Sequence, residues 1–319
     1  MIDDGGLSPE ARRFLDSCEP DTSPTEFANM GEVRATVASG YQAAADRAVE
    51  RHQLTIDTYD VAGVECVRFT SRCPTVAARP HAVLIYLFGG AFMVGDPISD
   101  LPIIGALAQW TAMTVVAPRY RLAPEHPAPA ALDDTLAVYE ALADQTSGTL
   151  VLAGESAGGN LALLTAQKAR DAALRRPSAM ALLSPAVDLR PGRDLFEPNV
   201  DRDPTLDASR MDEVLVAYVG DSDPADPSLS PILGEMKGLA PTIITTGTRD
   251  LFLSPCVRLA TKMRRAGVEV DCRVWDGMWH VFEFYDDYPE QDESLAEIAD
   301  HINVYTSWPP QPPLSVSQG

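Results

Sequence analysis

The sequence predicts an α/β protein whose mostly parallel sheet carries helices on both faces. Between about residues 80 and 275, short apolar runs alternate with amphipathic segments of helical period, which is typical of parallel strands buried on both faces. A polar or glycine-containing turn separates each apolar run from the helix that follows it. The chain has 319 residues, 45% of them hydrophobic, which is enough to bury the core of one large domain or two small ones.

The N-terminal region precedes this repeating pattern and is predicted to be helical. Apolar residues recur at three- and four-residue steps over Pro9–Asp16 and Val33–Arg51, so residues 1–52 are expected to form a helical arm or lid. Alternating apolar and polar residues then predict two strands, Leu54–Thr58 and Val64–Arg68. We expect these two strands to form one edge of the sheet.

Six further strands and five helices follow in the predicted order. The strands are expected at His81–Leu87, Met113–Ala117, Thr149–Ala153, Ala179–Leu183, Thr242–Thr246 and Glu269–Trp275. The helices are expected at Leu101–Ala112, Pro129–Ala143, Ala157–Leu174, Ser254–Ala266 and about Ser294–Trp308.

The alternation of strand and helix is interrupted after Ser184. Residues 190–239 are rich in Asp, Pro and Gly and contain one helical stretch near Ala208–Tyr218, which predicts an insertion over the carboxyl ends of the strands. The core is therefore divided into residues 53–189 and 240–308. Residues 309–319 are rich in Pro and Ser and are expected to form a flexible tail.

Composition excludes several classes of partner. Asp and Glu outnumber Lys and Arg by 46 to 25, and the net charge of −21 repels nucleic acid and acidic membranes. We expect a cytoplasmic protein, because no apolar stretch reaches the roughly 18–20 residues of a spanning helix and the first residues do not resemble a secretion signal. The five scattered cysteines form no metal-site spacing, and nucleotide-binding motifs are absent, so neither a metal nor an organic cofactor is expected.

Ser156 is the strongest candidate for a nucleophile. It lies in a G-x-S-x-G pattern, Gly154–Gly158, directly after a predicted strand and directly before a predicted helix. This setting is that of a nucleophile elbow, in which the glycines allow a turn that exposes the hydroxyl at the edge of the sheet. A serine hydroxyl is a poor nucleophile at neutral pH, so the site also needs a base and an acid that orients the base.

His280 is the preferred base among the five histidines. It follows the last predicted strand, where the loop returns over the carboxyl edge of the sheet. His126, in the loop after Met113–Ala117, is the alternative. The other three are expected to be surface or packing residues: His52, His81 and His301.

Asp250 is the preferred acid. It follows the strand Thr242–Thr246 and lies between the serine and the histidine in the chain, which is the order of this type of triad. Asp276 and Asp188 are weaker alternatives, since one lies close to the histidine in sequence and the other opens the insertion.

A glycine-rich loop after the first parallel strand is predicted to stabilise the developing oxyanion. Backbone N–H groups from this loop and from the residue after the serine would form the oxyanion hole, the set of donors that binds the negatively charged oxygen. The candidates are Gly89, Gly90, Ala91 and Ala157. Aromatic residues near these segments predict an apolar substrate pocket: Phe92, Phe196, Tyr218, Trp279 and Phe282.

Four blocks of the sequence together resemble the hormone-sensitive-lipase-like carboxylesterases, the H-G-G-G type within the α/β-hydrolase superfamily. The blocks are Phe88–Ala91, Tyr120–Pro127, Gly154–Gly159 and the pair Asp250 and His280, and the resemblance spans roughly residues 30–308. It implies an α/β-hydrolase fold with a mostly parallel eight-stranded sheet and a helical cap, built from the N-terminal helices and residues 190–239. It also implies a structural role for His126 and a homodimer through the last strand.

This resemblance implies a serine carboxylesterase that hydrolyses short-to-medium acyl esters or lactones through an acyl-enzyme on Ser156. The stretch Gly247–Ser254 is further similar to bacterial monoterpene lactone hydrolases. Two alternatives use the same fold: an acyltransferase or amidase with the same triad, and a ligand-binding receptor without turnover, which is disfavoured because His280 is retained. The chain departs from the family pattern at Phe88, which replaces histidine, and at Ala91, which replaces the third glycine.

Overall fold

The eight predicted strands are all present and form one sheet. The structure is a computed structural model that describes residues 6–18, 29–73, 78–79, 81–191, 197–285 and 288–307. Its strands are β1 (Leu54–Val61), β2 (Val64–Ser71), β3 (Val83–Leu87), β4 (Thr114–Pro118), β5 (Leu150–Glu155), β6 (Ala179–Leu183), β7 (Thr242–Gly247) and β8 (Val270–Trp275). The α/β class predicted from the sequence is therefore confirmed.

The strand order of the sheet is β1-β2-β4-β3-β5-β6-β7-β8. Only β2 runs antiparallel to its neighbours, and every other pair is parallel. The chain moves outward from β3 to β4 and then crosses back to β5, so the direction of winding reverses between β3 and β5. The carboxyl ends of strands at such a reversal leave a crevice in which ligands bind. The loops after β3 and β5 meet at this crevice.

Eight α-helices are described, and each matches a predicted helical segment. They are α1 (Pro9–Ser17), α2 (Met30–His52), α3 (Leu101–Thr111), α4 (Ala130–Gln145), α5 (Ser156–Asp171), α6 (Ala208–Val219), α7 (Leu253–Arg265) and α8 (Pro289–Tyr305). Crossover connections between parallel strands are right-handed, so α3 lies on the face of the sheet opposite α4 and α5. No described helix combines the length and the apolar character that crossing a bilayer requires.

The last helix begins five residues before the predicted start at Ser294. Its first turn contains Pro289, whose missing N–H and fixed φ suit that position, and the acidic Glu290 and Asp292, which are favourable beside the positive end of the helix dipole. These three residues carry no apolar periodicity, so the pattern that predicts helices could not include them.

The main hydrophobic core lies on both faces of the central strands. β3, β5 and β6 are almost entirely buried, as their continuous apolar sequences predict. A second, smaller core packs α1 against the loop after β8 and contains Ala11, Met278, Trp279, Phe282 and Tyr288. The segment after β8 is therefore fixed between the sheet and the N-terminal helix. The predicted domain boundaries and the predicted tail, which lies outside the described residues, stay predictions.

Candidate active site

The candidate catalytic side chains converge at the carboxyl edge of the sheet. Ser156 follows β5, Asp250 follows β7, and His280 lies in the loop after β8. Parallel strands end at the same edge, so residues far apart in the chain meet there. The structure brings these three predicted residues into contact, and it places the glycine-rich loop after β3 beside them in the strand order.

The serine lies in a sharp turn that only a glycine-flanked sequence can form. Ser156 has a φ of 49°, a left-handed conformation that is costly for a residue with a side chain. A Cβ atom added at Gly154 would lie 2.5 Å from the carbonyl oxygen of Gly158. One added at Gly158 would lie 1.9 Å from the carbonyl oxygen of Leu87. Both glycines are therefore needed for the close packing of the turn against β3.

A continuous chain of hydrogen bonds joins the three side chains. His280 Nε2 lies 2.9 Å from Ser156 Oγ, and His280 Nδ1 lies 3.1 Å from Asp250 Oδ1. The imidazole is 6% exposed and the carboxylate is fully buried, whereas the serine is only partly covered. With Nδ1 donating to the carboxylate, Nε2 is left as an acceptor for the serine hydroxyl proton. The geometry therefore allows His280 to act as a general base toward Ser156.

The electrostatics of the pair favour a charged Asp250 and a protonatable His280. Burial alone would raise the pKa of Asp250, but the facing imidazole and the hydrogen bonds from His280, Ser184 and Phe252 outweigh it and lower the pKa. Burial alone would lower the pKa of His280, but the Asp250 carboxylate raises it above its ordinary value. An imidazolium formed during proton transfer is therefore stabilised by its neighbour.

The alternative base and acids lie elsewhere. The side chain of His126 is exposed, and Asp276 is exposed and accepts a hydrogen bond from the Thr248 hydroxyl. Asp188 is buried and forms an ion pair with Arg190 at 2.8 Å. The structural role that the family resemblance implies for His126 stays a prediction, and its exposure makes a role in core packing unsuitable.

The glycine-rich loop turns sharply after β3. Gly90, Ala91 and Phe92 have φ angles of 91°, 56° and 63°, and the amides of residues 93 and 94 both donate to the carbonyl of Gly90. The N–H groups of Gly90, Ala91 and Ala157 have no hydrogen-bond acceptor among the residues that the structure describes. Ala157 lies in the first turn of α5, where N–H groups point outward along the helix dipole.

The fourth candidate for the oxyanion hole, Gly89, has a different environment. Burial raises the pKa of the Glu155 carboxyl well above its ordinary value, and the backbone N–H of Gly89, which faces that carboxyl, acts in the opposite direction. A Cβ atom at Gly89 would lie 2.0 Å from Glu155 Oε1, so glycine is required for this approach. Gly89 thus lies against the Glu155 carboxyl, which makes Gly90, Ala91 and Ala157 the preferred candidates for the oxyanion donors.

The departure from the family pattern at Phe88 is accommodated by packing. The Phe88 ring is 1% exposed and stacks on Tyr120, with ring centroids 4.2 Å apart and planes 12° from parallel. The Tyr120 hydroxyl donates to the carbonyl oxygen of Phe88 at 2.6 Å. The Tyr120–Pro127 block therefore holds the glycine-rich loop by an aromatic stack and a hydrogen bond.

The predicted aromatic pocket is resolved into two environments. Phe92 and Tyr218 are buried and stack on each other, with centroids 3.7 Å apart, so α6 covers the glycine-rich loop. Trp279 and Phe282 are fully buried in the second core, where Trp279 stacks on Phe14 of α1. Phe196 lies outside the described residues. A substrate-binding role for the other four stays a prediction.

Helix α2 is anchored to the same loop by one arginine. Arg34 donates from Nε to the carbonyl of Met93 at 2.8 Å and from a terminal nitrogen to the carbonyl of Ala123 at 2.9 Å. It also pairs with Glu125 at 2.6 Å. The N-terminal helices and α6 therefore both contact loops at the carboxyl edge, as the expected cap would.

Ser184 is a part of the site that sequence reasoning missed. It is fully buried with a φ of 43°, bonds to the carboxylate of Asp250, and accepts the N–H of Val281 at 3.1 Å. Its hydroxyl thus joins the acid to the backbone that follows the base. Its position directly after β6 was the only signal in the sequence. No group of three or more His, Cys, Asp or Glu side chains is arranged to hold a metal ion in the part of the chain described above.

Comparison with known proteins identifies the family. The α/β-hydrolase fold family matches residues 84–284. An esterase of Acinetobacter venetianus is 32% identical over 227 residues, which are 70% of this chain and 75% of that protein. An acetyl-hydrolase of Streptomyces hygroscopicus is 32% identical over 225 residues, which are 70% of this chain and 75% of that protein.

Solved structures agree with this identification. The crystal structure of a hormone-sensitive lipase from a metagenome library superposes with a TM-score of 0.84 at 30% sequence identity, covering 94% of this chain and 99% of the other. The chain therefore belongs to the α/β-hydrolase family and to its hormone-sensitive-lipase-like group, a family of carboxylic ester hydrolases. The resemblance stated from the four sequence blocks is confirmed. The closer similarity to monoterpene lactone hydrolases stays a prediction.

Proposed function

We propose that this chain hydrolyses short-to-medium, uncharged carboxylic esters or lactones through an acyl-enzyme on Ser156. The observation that carries the proposal is the unbroken hydrogen-bond chain from Ser156 Oγ through the His280 ring to Asp250. A buried carboxylate that fixes the imidazole, and an imidazole within 2.9 Å of a partly exposed hydroxyl, are the parts that acyl transfer to serine requires.

The acylation step follows from this arrangement. His280 Nε2 takes the proton of Ser156 Oγ while the oxygen attacks the ester carbonyl carbon, and the carbonyl π electrons move to the oxygen. The N–H groups of Gly90, Ala91 and Ala157 would stabilise that oxyanion, and one well-placed donor of this type is worth about 3–4 kcal/mol in the transition state. The His280 proton then passes to the departing alkoxide, which leaves as the alcohol and leaves the acyl group on Ser156.

The deacylation step repeats these roles with water. His280 removes a proton from the water that attacks the acyl carbon, and it returns a proton to Ser156 Oγ as the C–O bond to the serine breaks. The products are the carboxylic acid and the free enzyme. In a lactone the leaving alcohol stays attached to the acyl group, so the same two steps release a hydroxy acid.

The substrate class is inferred from the surroundings of the site. Phe92 and Tyr218, which stack on each other beside the glycine-rich loop, would give the site an apolar wall that favours apolar acyl or alcohol groups. The net charge of −21 disfavours the approach of anionic esters. A homodimer through β8 and a location in the cytoplasm stay expectations from the sequence.

The test is a panel of p-nitrophenyl esters from two to twelve carbons beside a set of simple lactones. The wild type is expected to hydrolyse the shorter esters, and Ser156→Ala is expected to lose at least about a thousandfold in kcat. His126→Ala, at an exposed histidine outside the triad, is the matched control and should keep its activity. Turnover that survives in Ser156→Ala, with an unchanged melting temperature, would contradict the proposal.

A further inference from the structure

Two polar side chains of residues 190–239 bind the loop that carries Asp250. Asn199 Nδ2 donates to the carbonyl oxygens of Thr248 and Asp250, both at 2.9 Å. Asp203 Oδ2 accepts the N–H of Leu251 at 3.0 Å. We define Asn199 and Asp203 as the strap. The strap thus binds three backbone groups of residues 248–251: the carbonyls of Thr248 and Asp250 and the N–H of Leu251.

Both side chains of the strap are buried, and both oxygens of the Asp203 carboxylate accept hydrogen bonds inside the protein. Asn199 is fully buried and Asp203 is 8% exposed. The second oxygen of Asp203 accepts the N–H and the hydroxyl of Thr205, at 3.0 and 2.9 Å, and the N–H of Leu206 at 3.3 Å. All four partners are donors, which suits an ionised carboxylate that has no proton of its own to donate.

The strap is itself connected to the N-terminal helix. The thiol of Cys18, at the C-terminal end of α1, donates to the carbonyl of Pro204 at 3.3 Å. Phe14 of the same helix stacks on Trp279, the residue before the triad base. The strap therefore contacts the acid loop, α1 contacts the base loop, and the hydrogen bond from Cys18 to Pro204 joins the two parts.

Resting on the proposed function, we propose that Asp203 is a positioning residue for the triad. Its carboxylate fixes the acid loop and adds a second negative charge near the His280 imidazolium. Its contact is to the residue after Asp250, so its charge lies beside the catalytic pair. It acts through Leu251 and His280 and does not touch the reacting atoms. The other carboxylates that act on the imidazole are Asp250, after β7, and Glu283, in the turn after the base.

The neighbouring charges agree with this role. The pKa of His280 is raised by Asp250 and, to a smaller extent, by Asp203 and Glu283, against the lowering by burial. Burial and the Asp250 charge raise the pKa of Asp203 above its ordinary value, and the His280 charge and the N–H groups of Thr205 and Leu251 limit that rise. Burial and, to a smaller extent, the Asp203 charge raise the pKa of the Cys18 thiol. Removing the Asp203 charge should therefore lower the pKa of His280.

The experiment compares Asp203→Asn with Asp201→Asn, a matched control at an exposed carboxylate two residues away. In Asp203→Asn the acid limb of kcat/KM for p-nitrophenyl acetate is expected to move down by at least about 0.5 pH unit, and kcat at pH 8 to fall about three- to tenfold with KM nearly unchanged. The control should match the wild type. An acid limb and a kcat that equal those of Asp201→Asn in folded protein would overturn the proposal.

A second readout separates this inference from the proposed function. The His280 C2–H resonance, assigned by its loss in His280→Gln, can be titrated by NMR without any substrate, and its pKa should be lower in Asp203→Asn than in the wild type. An unmoved resonance would refute the role of Asp203 even if esterase activity is found. Should Asp203→Asn fail to fold, Asn199→Ser removes both amide bonds and no charge. A kcat that falls at least about fivefold supports the strap, and a kcat within about twofold of the wild type overturns it.

Discussion

Ala91 replaces the third glycine of the family's loop, and replacing it by glycine tests how that loop tolerates a side chain. Ala91 has a φ of 56° and its side chain is exposed, so its methyl group adds backbone strain without a clash. The left-handed conformation costs a residue with a Cβ about 1 kcal/mol. Glycine removes that cost but gains about 0.4–1 kcal/mol of freedom in the unfolded chain. We therefore expect Ala91→Gly to change the free energy of unfolding by less than about 1 kcal/mol.

The effect on catalysis should be equally small and of defined sign. The N–H of residue 91 is retained in Ala91→Gly, so kcat should stay unchanged or rise by up to about fivefold, the equivalent of relieving 1 kcal/mol of strain. Ala62→Gly is the matched control, because Ala62 has a φ of 54° in the exposed turn between β1 and β2. Both variants are measured by urea denaturation and by p-nitrophenyl acetate hydrolysis. A tenfold loss of kcat in Ala91→Gly, with a stability equal to that of Ala62→Gly, would refute the reasoning.

Two further predictions concern stability. Gly158→Ala should lower the free energy of unfolding by about 1–3 kcal/mol or more, because the added Cβ would lie 1.9 Å from the carbonyl oxygen of Leu87. Gly40→Ala in α2 is the control and should not destabilise the protein, because nothing lies within 4 Å of the added Cβ. Equal urea midpoints for the two variants would contradict this prediction. Burial lowers the pKa of His52 to about 4, below its unfolded value of about 6.5. The unfolded chain therefore binds the proton at a higher pH than the folded chain does. As a result, the free energy of unfolding should fall by about 3 kcal/mol as the pH drops from 6.5 to 4. His52→Gln should show a flatter loss of unfolding free energy between pH 7 and 4, and an unchanged slope would contradict that assignment.

The meeting of Ser156, Asp250 and His280 could be predicted, because each of the three lies in a recognisable local sequence pattern. The serine lies between glycines at a strand-to-helix junction, and the acid and base each follow a recognisable strand. The rule that parallel strands end at one edge then brings the three together. The same reasoning selects His280 over His126, and the structure places the former against Ser156 and the latter in solvent.

The contacts that surround these three residues could not be predicted in the same way. Asp203 and Leu251 are 48 residues apart, and Ser184 and Val281 are 97 apart. No periodicity or motif marks such pairs, because each contact depends on how loops that are far apart in the chain pack together at the carboxyl edge of the sheet. The contact of Gly89 with Glu155 has the same origin, since it depends on the conformation of the Glu155 side chain.

The most direct test of the central claim is covalent labelling of the nucleophile. A fluorophosphonate reacts with an activated serine, whose oxygen attacks phosphorus as fluoride leaves. Treatment of the wild type should abolish esterase activity and add one phosphonyl group per chain, located by peptide mass spectrometry on Ser156, while His280→Gln should be labelled far more slowly. Two results would contradict the account. One is treated enzyme that carries no label and keeps its full esterase activity. The other is a single label on a residue other than Ser156 that accounts for the loss of activity.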